Sequence, residues 1–270
     1  MVDGRRRLAQ RLGFALLMSS LACALPTSLT CQTEVFPAAA GEIRITPFAG
    51  ASVQIEYRGA VIHVDPWRRV DYSTALPADL ILVTDTPTDH LDPDLIATLR
   101  GPRTVVIVPS TPADARDEGG ASRLRAVPGS VVMNNGERRD VVLASGDAPE
   151  VRVEAVAMYD LLPGEPFHAR GEGNGYVVTL DQVRIYFAGV TECTPEMRAV
   201  RDVDVLFVPM NLPNGRMPPA AAAECTKLIA PDVVYPYHYR EQPIDDFVEA
   251  LRGGPIEVRL HDWYPPEGAP

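Results

Sequence analysis

The sequence predicts an α/β (α+β) protein built as a four-layer αββα sandwich, two β-sheets face to face with helices outside. Three observations carry this. Short runs rich in β-branched residues recur along the chain with turn residues between them. The runs fall into two series, and the helical segments come late in each. The last helical segment places Ile244, Phe247, Val248 and Leu251 on one face, so it should lie against a sheet.

In chain order, the first series of strands is expected at Ile43–Thr46, Val53–Tyr57, Val61–Val64, Leu80–Thr84, Thr104–Val108, Val131–Met133, Val141–Leu143 and Val151–Val156. The second is expected at Tyr176–Leu180, Val183–Phe187, Val203–Val208 and Val233–Tyr237, with a last strand near Ile256–Leu260. Helices are expected at Pro93–Leu99, where Asp92 is the N-cap and Gly101 the stop, and at Pro195–Val200 behind the cap Thr194. Two more should run from Pro219 to Ile229, stopped by Pro231, and from Pro243 to Leu251, stopped by Gly253. Pro112–Ser122 is the most loop-like insertion. The glycines of Gly171–Gly175 precede a strand instead of opening a helix and read as a flexible turn, not a phosphate loop.

At 270 residues and 46% hydrophobic composition the chain can bury one sizeable core, expected as a single domain over residues 42–265. Ahead of it, Arg5, Arg6, Arg7 and Arg11 precede an apolar run from Leu12 to Ala24, too short for a comfortable membrane span. With Ala22, Cys23 and Ala24 as an A-x-A cleavage site, residues 1–24 read as a secretory signal, and the protein as exported to the periplasm or outside the cell. Two variants are a twin-arginine signal at Arg5–Arg6 and lipid modification at Cys31, which would extend the removed segment toward residue 31. Ser28, Leu29 and Thr30 make a poor lipobox for the second. No integral membrane span is expected in the mature form.

The formal net charge is -11, and residues 1–24 carry four arginines against Asp3, so the remainder would carry -14. Such a surface repels phosphate backbones, which argues against nucleic acid unless a metal bridges the contact; the partner expected is a small-molecule substrate. Oligomeric state is not legible. Cys31, Cys193 and Cys225 form an odd set far apart in sequence; no disulfide framework and no zinc-finger spacing can be read from them.

The chemistry concentrates in ILVTDTPTDHLDP, Ile81–Pro93. An apolar strand runs into Thr84, and Asp85, Asp89 and His90 follow within six residues, just past the strand end where such sheets place their ligands. Together with ITPFAGASVQIEYRGAVIHVDPW, FHARGEGNGYVVTLDQVRIYFAGVTECTPEM and DVVYPYHY, this run resembles the successive motifs of the metallo-β-lactamase fold superfamily, in particular its L-ascorbate-6-phosphate lactonase-like metal-dependent hydrolases. The resemblance covers nearly all of the chain after the signal. It implies the metallo-β-lactamase αββα fold and two adjacent metal sites.

By that pattern, HxHxDH maps onto residues 85–90, so Asp89, His90, His168 and His238 match ligand positions, and Asp65 in VDPW matches a carboxylate that supports the ligands from behind. Four positions depart from it. Asp85 stands where a histidine is usual, Pro87 replaces a histidine, Val190 in AGVT replaces the bridging aspartate of GDT, and Gly50 in AGAS replaces a histidine. The losses fall unevenly. The first site keeps His168, with Asp85 as a substitute, and is expected to stand empty. The second keeps Asp89, His90 and His238, two imidazoles and a carboxylate with an open position, the general arrangement of a catalytic zinc.

The expectation is a mononuclear hydrolase holding one divalent metal, zinc first and manganese or iron as alternatives, in which Asp85 orients or deprotonates water and His168 contacts the substrate or donates a proton. Its target would be an ester, lactone, amide or phosphodiester bond. The alternative is a pseudoenzyme that keeps the fold as a non-catalytic envelope binding or scaffold protein, with no metal. His63 and His261 read as structural or exposed. Tyr237 and Tyr239 flank His238 as packing residues, and Met210–Pro219 reads as a connector at the mouth of the site.

Overall fold

A computed structural model describes residues 33–69, 71–111, 120–144, 150–161, 167–210 and 217–264. Residues 1–24, read above as a signal, and Cys31, together with most of the Pro112–Ser122 and Met210–Pro219 loops, lie outside the described residues. Among the described residues no helix is long and apolar enough to cross a membrane.

The first sheet holds β1 (Glu34–Ala38), β2 (Gly41–Pro47), β3 (Val53–Tyr57), β4 (Ala60–Val64), β5 (Ala78–Leu82), β6 (Arg100–Pro109) and β7 (Val131–Met133), side by side in chain order. The second runs β8 (Arg138–Val142), β9 (Glu150–Met158), β10 (Gly173–Leu180), β11 (Val183–Phe187), β12 (Val205–Pro209), β13 (Val233–Tyr237) and β14 (Glu257–Val258). Both sheets obey one rule: the first four strands pair antiparallel and the later ones parallel. Parallel neighbours need crossovers. These are α1 (Pro93–Leu99) and α2 (Gly120–Arg125) in the first half, and α3 (Pro195–Ala199), α4 (Pro219–Ile229) and α5 (Ile244–Leu251) in the second.

Alternation along the strands separates the layers. On β5, Leu80 and Leu82 enter the core between the sheets, while Ile81 and the following Val83 pack against Leu95, Ile96 and Leu99 of α1. On β12, Val205 and Phe207 face inward, and Leu206 and Val208 face Ala222, Ala223 and Phe247 of α4 and α5. Phe207 stacks between Phe187 and Tyr235 at 4.6 and 4.8 Å. These are the four layers expected from the sequence.

Four expectations need correction. The first sheet begins at β1, ahead of the boundary placed at residue 42, because Glu34–Ala38 pairs in full with Gly41–Ile45. Helix α2 occupies the end of the segment read as a loop. Gly173 and Gly175 lie inside β10 instead of a turn: a Cβ on Gly173 would stand 2.1 Å from Met158 Cε and 3.0 Å from the Thr84 carbonyl, so glycine lets this strand press against the loop after β5. Cys193 and Cys225, finally, form a disulfide with Cα atoms 5.7 Å apart, which joins the segment before α3 to α4.

His63 on β4 is buried, as a structural residue. Its Nε2–H donates to the Leu76 carbonyl at 2.9 Å, and Nδ1 has no partner. Burial outweighs that bond and pulls its pKa from 6.5 down to about 4. Between those values the unfolded chain binds a proton that the folded chain refuses. The contribution is intact above pH 6.5 and declines as pH falls toward 4, by about 3 kcal/mol in all. In denaturant titrations across that window, wild type should lose about 3 kcal/mol more stability than His63→Gln. Equal losses would show that His63 does not titrate this way.

Candidate metal centre

The expected site residues sit at the C-terminal ends of the parallel strands, where an open α/β sheet leaves its crevice. Asp65 follows β4, Thr84 to His90 follow β5, Val190 follows β11 and His238 follows β13. Asp65 and His238 both have left-handed backbones, φ 43° and 48°, which costs energy in non-glycine residues and is held in place by the surrounding bonds.

Asp65 is fully buried. One carboxylate oxygen accepts the Thr84 backbone N–H at 2.7 Å, and the other accepts the Thr84 hydroxyl at 2.5 Å and His90 Nδ1 at 2.8 Å. With Nδ1–H committed to Asp65, the nitrogen that His90 has for a metal is Nε2. Across the sheets, Asn174 N donates to the Thr84 carbonyl at 2.9 Å and the Tyr176 hydroxyl to the Val83 carbonyl at 2.9 Å, which fixes the loop that carries Asp85, Asp89 and His90. Pro87 contributes through its carbonyl, which accepts from His90 and Leu91 N–H.

One donor atom from each of Asp89, His90 and His238 lies within 4.8 Å of the other two, the only such group of three or more among the described residues. His90 and His238 face each other with ring centroids 4.9 Å apart, and His238 Nε2 is 3.5 Å from Asp89 Oδ2. His238 is 2% exposed, yet neither ring nitrogen has a hydrogen-bond partner. Two orphaned nitrogens in a buried imidazole beside a carboxylate fit a metal better than a packing role. Burial lowers the His238 pKa, leaving the neutral ring a metal needs, whereas at His90 the carboxylates of Asp65 and Asp89 outweigh burial and lift it to about 9.

Asp85 and His168 meet separately. His168 Nε2 is 3.4 Å from Asp85 Oδ2, and His168 Nδ1 is 3.4 Å from Asp160 Oδ1. Asp160 also accepts the backbone N–H groups of Phe167 and His168 at 2.8 and 3.0 Å. Against burial, which would lower it, Asp160 and Asp85 hold the His168 pKa up at about 10. Asp85 Oδ1 accepts the Thr86 N–H, while Oδ2 is buried without a hydrogen bond. Sequence reasoning missed Asp160; its only signal was a carboxylate just past the end of β9.

At the other altered positions, the backbone carries what the side chains do not. Val190 is buried and its N–H donates to Met158 Sδ at 3.1 Å. The same thioether stands 2.4 Å from where a Cβ on Gly189 would be, so the turn that holds an aspartate in the family pattern is packed by apolar groups here. Gly50, φ 62°, donates its N–H to the Trp263 carbonyl at 2.8 Å and accepts the His238 N–H at 3.1 Å, tying the C-terminal segment to a candidate ligand.

Comparison with known proteins identifies the family and the fold. Residues 44–238 match the family model described as the Beta-lactamase superfamily domain. A UPF0173 metal-dependent hydrolase of Aeropyrum pernix is 30% identical over 80% of this chain and 88% of its own. A solved structure from Parabacteroides distasonis superposes with TM-score 0.75 at 30% identity, covering 87% of this chain and all of that one. Igni18, a metallo hydrolase from Ignicoccus hospitalis, shares the fold at TM-score 0.62 and 21% identity over 82% of this chain and 95% of its own. These similarities reach the expected superfamily and not the narrower lactonase-like group. From sequence motifs, fold and relatives together, the chain belongs to the beta-lactamase superfamily, alongside the UPF0173 metal-dependent hydrolases.

Proposed function

We propose that this protein is a mononuclear metal-dependent hydrolase acting on an ester, lactone, amide or phosphodiester bond of a small molecule. The observation that carries the reading is the group of partly exposed Asp89 with buried His90 and His238, in which both ring nitrogens of His238 are orphaned. These three residues would hold one divalent metal, zinc first, with manganese or iron as alternatives. Bound there, the metal supplies Lewis-acid polarisation of the scissile carbonyl or phosphoryl oxygen and a lowered pKa for water.

The remaining steps belong to the chain. Asp65 fixes the ring of His90 by accepting its Nδ1–H, and Gly50 fixes the backbone of His238. Asp85 presents Oδ2 to receive a hydrogen bond or a proton from the attacking water. His168, positioned by Asp160, carries a proton at Nε2 that it can give to the leaving group. The disulfide supports an exported protein, since such bonds persist in oxidising compartments.

The packing of Val190 on Met158 favours a second reading, a fold that has lost its chemistry and serves as a binding protein of the envelope. Metal analysis separates the two. Purified wild type should carry about one zinc per chain, and the double variant His90→Ala, His238→Ala close to none. Equal, near-zero metal in both would sink the hydrolase reading and leave the second.

A further inference from the structure

We infer that Arg240 is the anchor for an oxyanionic group of the substrate, a carboxylate or phosphoryl oxygen, so that the hydrolase takes anionic substrates. The inference rests on the metal-centre reading above. His238 and Arg240 are two residues apart, both with φ 48°, and that backbone turns both side chains onto one atom: His238 Nε2 lies 3.5 Å and Arg240 Nη2 3.3 Å from Asp89 Oδ2. Asp89 is the only acidic side chain within ion-pair distance of Arg240 among the described residues. The Arg240 side chain is half exposed, while His238 is buried. It therefore stands on the solvent side of the centre, within one carboxylate of it.

A carboxylate that binds a divalent ion can still accept a hydrogen bond from a guanidinium, but most of its charge is then taken up by the ion. Once Asp89 shares its charge with a divalent ion, Arg240 faces a cation across a few ångströms and has lost most of its counter-charge. An incoming oxyanion resolves this by taking up the guanidinium fork, whose donors suit carboxylate and phosphoryl oxygens. Tyr239, next to Arg240, packs edge-on against Tyr264 at 5.6 Å and donates its hydroxyl to the His261 carbonyl at 3.3 Å, so the turn that aims the side chain is braced by the C-terminal segment. In a chain of net charge -11, a half-exposed arginine at the rim of the centre gives an anion a local point of attraction beside the metal ligands.

The test uses the purified protein loaded with zinc. Metal content is measured for wild type, Arg240→Gln and Arg240→Lys, and each is titrated calorimetrically with methylphosphonate and with acetate. Equal zinc in all three is expected, with binding of at least one anion about tenfold weaker in Arg240→Gln and intermediate in Arg240→Lys; the anion that responds identifies the group. Unchanged anion binding in Arg240→Gln, or none in wild type, overturns the proposal. Loss of zinc in Arg240→Gln overturns it too, because Arg240 would then serve to hold Asp89. Absence of zinc from wild type sinks the metal reading itself, and this inference with it, and is recognised from metal content before any titration.

Discussion

Asp85→Asn is expected to lower kcat/KM by about 10²–10⁴-fold while zinc stays at about one per chain. The expected size follows from what asparagine keeps and what it removes. It keeps the Oδ1 contact to the Thr86 N–H and the shape of a residue that is 4% exposed. It removes Oδ2, a buried carboxylate oxygen without a hydrogen bond, and with it the group able to take a proton from water. The measurement is turnover on whichever member of an ester, lactone, amide and phosphodiester panel the wild type cleaves, with metal analysis on the same samples. Activity within a few fold of wild type would remove Asp85 from the chemistry. Zinc falling with activity would make Asp85 a ligand, the substitute role that its place in the HxHxDH pattern suggests.

The parts of this fold that were legible in the sequence are those decided by short-range pattern. Val53–Tyr57, Val131–Met133, Val183–Phe187 and Val233–Tyr237 fall on the expected bounds because each is a β-branched or aromatic run between turn residues. β1 was missed because Pro37 weakens EVFPA as a strand signal, and nothing local says that these residues lie at a sheet edge, where a proline is most readily tolerated. α2, six residues of GASRLR, has too few turns to show a periodicity.

The site divides in the same way. Asp89 and His90 were readable because they are contiguous past a strand end, and His238 because it lies in a recognisable run near the last strand. Asp160 and Arg240 were not. Each owes its place to a contact made across sequence, Asp160 with a histidine eight residues on and Arg240 with a carboxylate 151 residues away. The glycines at 173 and 189 were visible as letters, but the reason for them is the Met158 side chain packed against both.

The Cys193–Cys225 disulfide was unreadable for that reason, and it is also where the second large effect is expected. Thirty-two residues separate the two cysteines, and they meet only because α3 and α4 pack side by side over the second sheet. Closing a loop of that length in the unfolded chain contributes about 3–4 kcal/mol by the chain-entropy account. Cys193→Ala, Cys225→Ala should therefore lower Tm by roughly 7–14 °C in a domain of this size. Zinc content should be unaffected. The link fastens the segment after Val190 to α4, yet Thr191 and Glu192 hold that segment to Tyr159 independently, through the Thr191 hydroxyl and the Glu192 N–H. Free-thiol titration of denatured protein purified from an oxidising compartment gives the covalent half of the test: wild type and the double variant should show the same number of thiols. Two additional thiols in wild type, or a double variant as stable as wild type, would overturn the bond as a structural staple and remove the support it lends to export.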